Sequence, residues 1–237
     1  MDKQPWMIVL CGPNGAGKST FYEKVLKDDP FFKKVDFINL DNEAARLAGN
    51  DGDVNAVMIP AGMNIRQSLI DKIENRQSFI YETTSAGRTH LNLIEDAQQH
   101  GFMVASVFIG LSSPQLSHLR VQTRVKNGGH AVPVEDIERR FPRVMQNFPE
   151  MLKVSDISVA FDNSKKSPFE LIFMMDRRQL FIFHKYPRWL GNALKGRKTR
   201  KDMIHITKEA FISMKPEKVA NLTQRIFSQI DSAGRAI

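Results

Sequence analysis

Gly12-Pro13-Asn14-Gly15-Ala16-Gly17-Lys18-Ser19 fits the pattern G-x-x-x-x-G-K-[S/T] at every fixed position. The residue types match the chemistry of a phosphate-binding loop. Glycines let backbone N–H groups curl around an anion, the lysine reaches the outer phosphates, and the serine hydroxyl is suited to Mg²⁺. The context strengthens the match. Met7-Ile8-Val9-Leu10-Cys11 is a continuous apolar run of the kind found in buried parallel strands, and Phe21 and Val25 share a helical face just after Ser19. Strand, loop and helix therefore follow in the required order, which a chance match in a glycine-rich turn would not produce. Gly12, Asn14, Gly15, Ala16, Gly17, Lys18, Ser19 and the adjoining Thr20 form the candidate nucleotide-binding set.

Downstream, helical and extended patterns alternate. Val35 to Asp41 reads as a second strand ending in a carboxylate, and Glu43 to Ala48 as a helix stopped by Gly49-Asn50-Asp51-Gly52. Ile65, Leu69 and Ile73 mark a helix running to about Arg76. Ser78 to Thr84 forms a third strand, and it carries Glu82 near its end. Leu91, Ile94 and Ala97 mark the next helix, closed by Gly101 before the strand Phe102 to Leu111. This alternation predicts a parallel sheet with helices on both faces, whose ligands gather at the carboxyl ends of the strands. Asp41, Glu82 and the phosphate loop would converge there.

From Pro114 the pattern changes. Leu116 and Leu119 lie on one helical face, and Arg120 and Arg124 lie together on another. A turn with Gly128-Gly129-His130 leads into a second helix with Ile137, Phe141, Val144 and Phe148 as its stripe and Arg139, Arg140 and Arg143 beside it. Pro142 predicts a kink or break near Phe141. A hinged helical hairpin rich in arginine suits a lid that neutralises charge on a transferring phosphate; the plainer alternative is a solvated basic face. Ile157 to Phe161 reads as a fifth strand followed by Asp162-Asn163-Ser164. Glu170 to Met175 and Gln179 to Phe183 read as an antiparallel hairpin, and Val219, Leu222, Ile226 and Ile230 mark a final amphipathic helix.

Composition narrows the classes. The 237 residues suffice for one sizeable core, and the single cysteine, Cys11, rules out a disulfide framework or Cys/His metal cluster; it reads best as a small buried hydrophobe. The chain enters its first strand too early for a signal peptide, and no apolar stretch approaches membrane-spanning length, so a soluble, cytoplasmic protein without a membrane partner is expected. The net charge of +8 is local. Lys185, Arg188, Lys195, Arg197, Lys198, Arg200 and Lys201 occur in residues 184–201 with no acidic residue among them.

A phosphate loop alone indicates a nucleoside triphosphate. No Asn-Lys-x-Asp guanine motif and no apolar run ending in Asp-Glu points to a switch or a motor. Asp41 about twenty residues beyond the loop, together with the arginine-rich lid, fits phosphoryl transfer to an alcohol. The carboxylate accepts the proton of the attacking hydroxyl, and Arg120 and Arg124 stabilise charge on the phosphoryl oxygens. The alternative for Asp41 is a helix N-cap.

Taken together, Gly12 to Ser19, Phe37-Ile38-Asn39-Leu40-Asp41, Phe79 to Gly87, Arg124 to Pro133 and Ile137-Glu138-Arg139-Arg140-Phe141 resemble the zeta-toxin family of P-loop kinases, in its short, chromosomally encoded branch. The resemblance covers about residues 6–164, and its Glu-Thr-Thr and Gly-Gly-His-x-Val-Pro segments are more specific than the loop. It implies an α/β fold: a three-layer αβα, P-loop kinase-like core on a mainly parallel five-stranded sheet over residues 1–165. That core includes a helical lid at about 114–150, and residues 166–237 form a C-terminal appendage of hairpin, basic stretch and helix packed on it.

The implied activity is ATP- and Mg²⁺-dependent phosphorylation of a nucleotide sugar such as UDP-N-acetylglucosamine on its 3′-hydroxyl, with an antitoxin protein as a possible partner. Carried over, Lys18 and Ser19 hold phosphate and Mg²⁺, Asp41 is the base, Glu82 supports the metal, Arg124 is the first lid arginine, and Asn163 lies where related kinases pass the base. Glu43, Thr83, His130, Arg139 and Arg140 fall on the acceptor and lid side. One departure stands out. Longer members carry a second lid arginine where this chain has His130, whose duty passes to Arg139 or Arg140 unless His130 only orders the turn. Two other classes compete: a polynucleotide kinase using Tyr186, Trp189 and the basic run for stacking and phosphate attraction, and a regulatory module that binds ATP without turnover.

Overall fold

The computed structural model describes residues 4–49, 52–165, 169–176, 179–182, 187–194 and 203–205. The chain opens with β1 (Trp6–Cys11), the phosphate loop and α1 (Lys18–Phe21), which continues as a π-helical turn over Tyr22–Leu26. Then come β2 (Asp36–Ile38), α2 (Leu40–Ala48), α3 (Met58–Glu74), β3 (Phe79–Thr83), α4 (Thr89–Gln99) and β4 (Met103–Gly110). The hairpin helices are α5 (Pro114–Lys126) and α6 (Val134–Val154). They precede β5 (Ile157–Asp162), β6 (Glu170–Asp176), β7 (Gln179–Ile182), α7 (Arg188–Ala193) and β8 (Met203–His205). The strands form one sheet in the order β2-β3-β1-β4-β5-β6-β7-β8. The five expected strands are mutually parallel. β6 pairs antiparallel with β5, so the C-terminal hairpin prolongs the same sheet.

Alternate residues of the central strands serve opposite faces, as the period of two requires. Met7, Val9, Phe79, Val104 and Phe108 face a core completed by Ile65, Leu69 and Ile73 of α3, Ile94 and Ala97 of α4, Val144 and Phe148 of α6, and Trp189 and Leu190 of α7. Ile8, Leu10, Ile80, Val107 and Phe161 face the opposite core, closed by Phe21, Val25, Leu26 and Phe32. Phe21 is wholly buried between Phe161 and Phe169, at ring separations of 4.9 and 5.1 Å. Burying such a ring stabilises by about 1.5–3 kcal/mol, and here it anchors the helix that follows the phosphate loop.

Three expectations change. β2 stops at Ile38, and Leu40 and Asp41 belong to α2, because the Asn39 side chain accepts the Asn42 N–H at 3.0 Å and caps that helix. Asp41 is therefore neither a strand end nor the cap; it sits in the first turn of α2. α6 runs unbroken through Pro142, which is exposed, and the carbonyl left without a donor stands at Glu138, also exposed and reachable by water. Leu119 is exposed, while Ser117 and Val121 form the buried side of α5. The expected final helix and most of the basic stretch lie outside the described residues. No described helix is long and apolar enough to cross a membrane.

His90 sits in the buried face of α4, and among the described residues its Nε2 has no hydrogen-bond partner. Burial, reinforced by the charge of Arg88, lowers its pKa to about 4. An unfolded chain protonates histidine near pH ~6.5, so between these values the unfolded state binds more protons and stability falls as pH drops. Glu43, held to about 2 by its hydrogen bonds to Arg46 and Asn64, acts in a separate, more acid window. Denaturant titrations should show stability declining by on the order of 2 kcal/mol between pH ~6.5 and ~4, with most of that decline absent in His90→Phe.

Candidate active site

The phosphate loop is fixed by close approaches that exclude side chains. Gly12 has φ +142°, and a β-carbon there would lie 2.2 Å from the Ile109 carbonyl oxygen. Gly17 has φ +91°, and its β-carbon would meet Asn163 Nδ2 at 2.8 Å. Both are positions that only glycine fills without strain. Two further bonds hold the loop from behind: Ser117 Oγ of α5 donates to the Asn14 carbonyl, and Asn163 Nδ2 donates to the Ala16 carbonyl at 2.8 Å. Asn163 thus acts on the loop backbone, and its Oδ1 accepts the Phe169 N–H.

Lys18 is buried, with Nζ donating to the carbonyls of Gly12 at 3.1 Å and Pro13 at 3.2 Å and lying 3.8 Å from Glu82 Oε1. Burial lowers its pKa, against the pull of Glu82 and Asp41. Ser19 Oγ donates to Glu82 Oε2 at 2.9 Å. A hydroxyl and one carboxylate, both hard oxygen donors, fit Mg²⁺, which binds through few side chains and keeps water and phosphate ligands. Among the described residues no three acidic, histidine or cysteine side chains form an all-protein metal cage.

Across the cleft, Arg124 Nη1 lies 3.7 Å from Asp41 Oδ2, and Nη2 donates to the His130 carbonyl at 2.6 Å. Asp41 is about half exposed, at 47% of its side-chain surface, and so stands open to a ligand. These groups line a cavity of about 450 Å³ together with Asn14, Gly15, Lys18, Glu82, Thr83, His130 and Arg140. Arg140 is oriented by Asp136, which accepts from its Nη2 at 2.7 Å. Lys18, Asp41, Glu82, Arg124 and His130 therefore meet in one cleft, with charges of both signs at its wall.

Other expected residues stand elsewhere. Glu43 is engaged with Arg46 at 2.6 Å and Asn64 at 2.9 Å, tying α2 to α3, and does not line the cleft. Arg139 is exposed, pairs with Asp136 and does not itself line the cleft; of the two substitutes considered for the missing lid arginine, Arg140 is the one inside. Arg120 packs its Cβ against Gly15, within reach of the Asp162 charge, and does not line the cleft. Burial lowers its pKa and the Asp162 charge opposes the shift. Thr20 is exposed beside the loop. Cys11 is buried, with burial raising its thiol to about 12, so it is inert as a nucleophile.

Sequence reasoning missed Asn55, Met58 and Asp136, which also line the cleft. Asp136 was findable, three and four residues before Arg139 and Arg140 on a helix. Asn55 and Met58 carry no local signal, since only the packing of α3 and of the 3₁₀ turn before it (Val54–Val57) against α2 brings them to the cleft.

The zeta-toxin family model matches residues 1–169. The chain belongs to the zeta-toxin family. It is a phosphotransferase with a nucleotide-binding P-loop kinase fold. An uncharacterized protein of Haemophilus influenzae is 26% identical over 134 residues, 56% of this chain and 91% of that one. Two solved structures share the fold at low identity. The AvrRxo1-ORF1:-ORF2 complex with ATP is 13% identical, with a TM-score of 0.63 over 99% of this chain and 81% of that one. The PezAT chromosomal toxin–antitoxin system of Streptococcus pneumoniae is 16% identical, with a TM-score of 0.53 over 82% and 84%.

In this zeta-toxin family member the side chain that carries the Arg124 guanidinium to Asp41 packs against Gly129, where a β-carbon would lie 2.5 Å from Arg124 Cγ. Gly129→Ala should displace Arg124 and lower kcat by about tenfold or more with the thermal midpoint changed by only a few degrees, as steady-state kinetics and calorimetry would show.

Proposed function

We propose that the protein is an ATP-dependent kinase that transfers the γ-phosphate to a hydroxyl of a small molecule, a nucleotide sugar such as UDP-N-acetylglucosamine. The observation that carries this reading is the approach of Arg124 to Asp41 within the cavity that also holds Lys18 and Glu82. Asp41 accepts the proton of the attacking hydroxyl, and Arg124 stabilises the charge that develops on the phosphoryl oxygens. Lys18 turns from the Gly12 and Pro13 carbonyls to the outer phosphates. Mg²⁺ bound by Ser19, with Glu82 behind it, would neutralise phosphate charge. Arg120, on the Gly15 and Asp162 side, serves the nucleoside half of ATP, and Arg140 and His130 border the acceptor half.

Trp189 offers no support to the polynucleotide kinase reading, since it is buried, with its N–H bound to Asp162; Tyr186 and most of the basic run lie outside the described residues. An antitoxin partner is supported by the PezAT likeness. A module that binds without turnover is disfavoured by the free access to Asp41.

Incubation with ATP, Mg²⁺ and a panel of nucleotide sugars, nucleotides and short RNAs, followed by mass analysis, should show one added phosphate on a nucleotide sugar. Asp41→Asn should reduce that yield by about 10²- to 10⁴-fold while ATP affinity stays near wild type. Undiminished product from the variant would remove Asp41 from the base role, and phosphate on RNA alone would replace the acceptor class.

A further inference from the structure

Helix α7 lies beyond the residues matched by the zeta-toxin family model, yet it reaches the supports of the phosphate loop. Trp189 Nε1 donates to Asp162 Oδ1 at 3.1 Å, with both residues buried. The Trp189 indole also packs against Gly110, where a β-carbon would be 2.1 Å from Cζ2. Gly110 and Asp162 are the last residues of β4 and β5 and are register partners. The next residue, Asn163, donates its N–H to the Gly110 carbonyl at 3.0 Å and its Nδ2 to the Ala16 carbonyl at 2.8 Å. One residue earlier in β4, Ile109 presents the carbonyl against which Gly12 is packed. A single indole therefore touches both strand ends from which the loop is held.

We propose that Trp189 is a positioning residue for the phosphate loop, holding the ends of β4 and β5 so that Asn163 reaches Ala16, and thereby setting the affinity for the nucleotide's phosphates. The inference rests on the ATP-dependent reading given above. Its physical basis is the carboxylate of Asp162. Among the described residues, the donors to Oδ1 apart from Trp189 are the backbone N–H and hydroxyl of Ser164. A buried carboxylate that loses a donor must reorganise to recover solvation. Asp162 is joined directly to Asn163, so that movement is delivered to the Ala16 carbonyl, and a loop that binds anions through backbone N–H groups is sensitive to their direction.

The test compares wild type with Trp189→Phe, which keeps a ring beside Phe108 and Phe148 but removes the N–H, and with Leu194→Ala, which loosens the packing after α7 away from Asp162. Calorimetric titration with ATP and Mg²⁺ and thermal denaturation are measured on each. Trp189→Phe should weaken ATP binding by about tenfold, whereas Leu194→Ala should lower the thermal midpoint and leave ATP affinity at the wild-type value. Equal affinity in wild type and Trp189→Phe, or losses in both variants that follow the thermal midpoint, would overturn the proposal. Should Trp189→Phe not fold, Asp162→Ala removes the same bond from its other end and must show the same selective loss. A wild-type chain with no affinity for ATP would sink the kinase reading itself, an outcome distinct from equal affinities in two chains that both bind.

Discussion

A buried ammonium governs the architecture of the cleft. Removing Lys18 from water costs several kcal/mol unless other groups solvate it, and the chain supplies the Gly12 and Pro13 carbonyls and the Glu82 carboxylate. Glu82 can do so only because β3 lies directly beside β1, in a register that opposes Leu10 to Glu82. The strand order β2-β3-β1-β4 is thus a requirement of the site as well as a packing solution. The same carboxylate accepts the Ser19 hydroxyl, which links the loop's lysine to its serine through one side chain.

The opposite wall balances charge in a second way. Arg124 reaches toward Asp41, and Arg140 is held by Asp136, so the two arginines of α5 and α6 that line the cleft each have an acidic neighbour. Exposed pairs of this sort are weak, and a phosphoryl group can therefore compete for either guanidinium. Arg139, which does not line the cleft, spends its charge on the other oxygen of the Asp136 carboxylate that holds Arg140. Position on the helix, rather than residue type, separates these arginines.

The fold was largely legible in the sequence because its strong signals are local and periodic. The loop between Cys11 and Lys18, the apolar strands and the Ile65-Leu69-Ile73 stripe all announce themselves within short windows. Asp41 and Glu82 were identifiable as partners of the loop, but the local form around Asp41 was not. Asn39, Asp41 and Asn42 are all plausible caps, and only the Asn39-to-Asn42 bond decides among them. Glu43 and Arg139 stand outside the cleft, where neighbours three residues away, Arg46 and Asp136, engage their charges. Trp189 sat in a basic stretch that reads as solvent-facing, and its burial depends on a glycine in a distant strand. Pairings set by tertiary contact leave no trace in spacing.

The continuity of α6 has a mechanical consequence. Its 21 residues form a rod about 30 Å long at ~1.5 Å per residue. The first turns carry Asp136 and Arg140 into the cleft, while Val144, Phe148 and Met151 are locked in the core. Asn147 clamps the rod to the carbonyls of Ser85 and Gly87, in the turn just beyond Thr83. A helix broken at Pro142 would let the cleft end swing alone. An unbroken one behaves as a lever with its fulcrum near Asn147, so any tilt that brings Arg140 toward a phosphate also pulls on the segment leaving β3. The Asn147 bonds thus couple the orientation of α6 to the segment that follows the strand carrying Glu82.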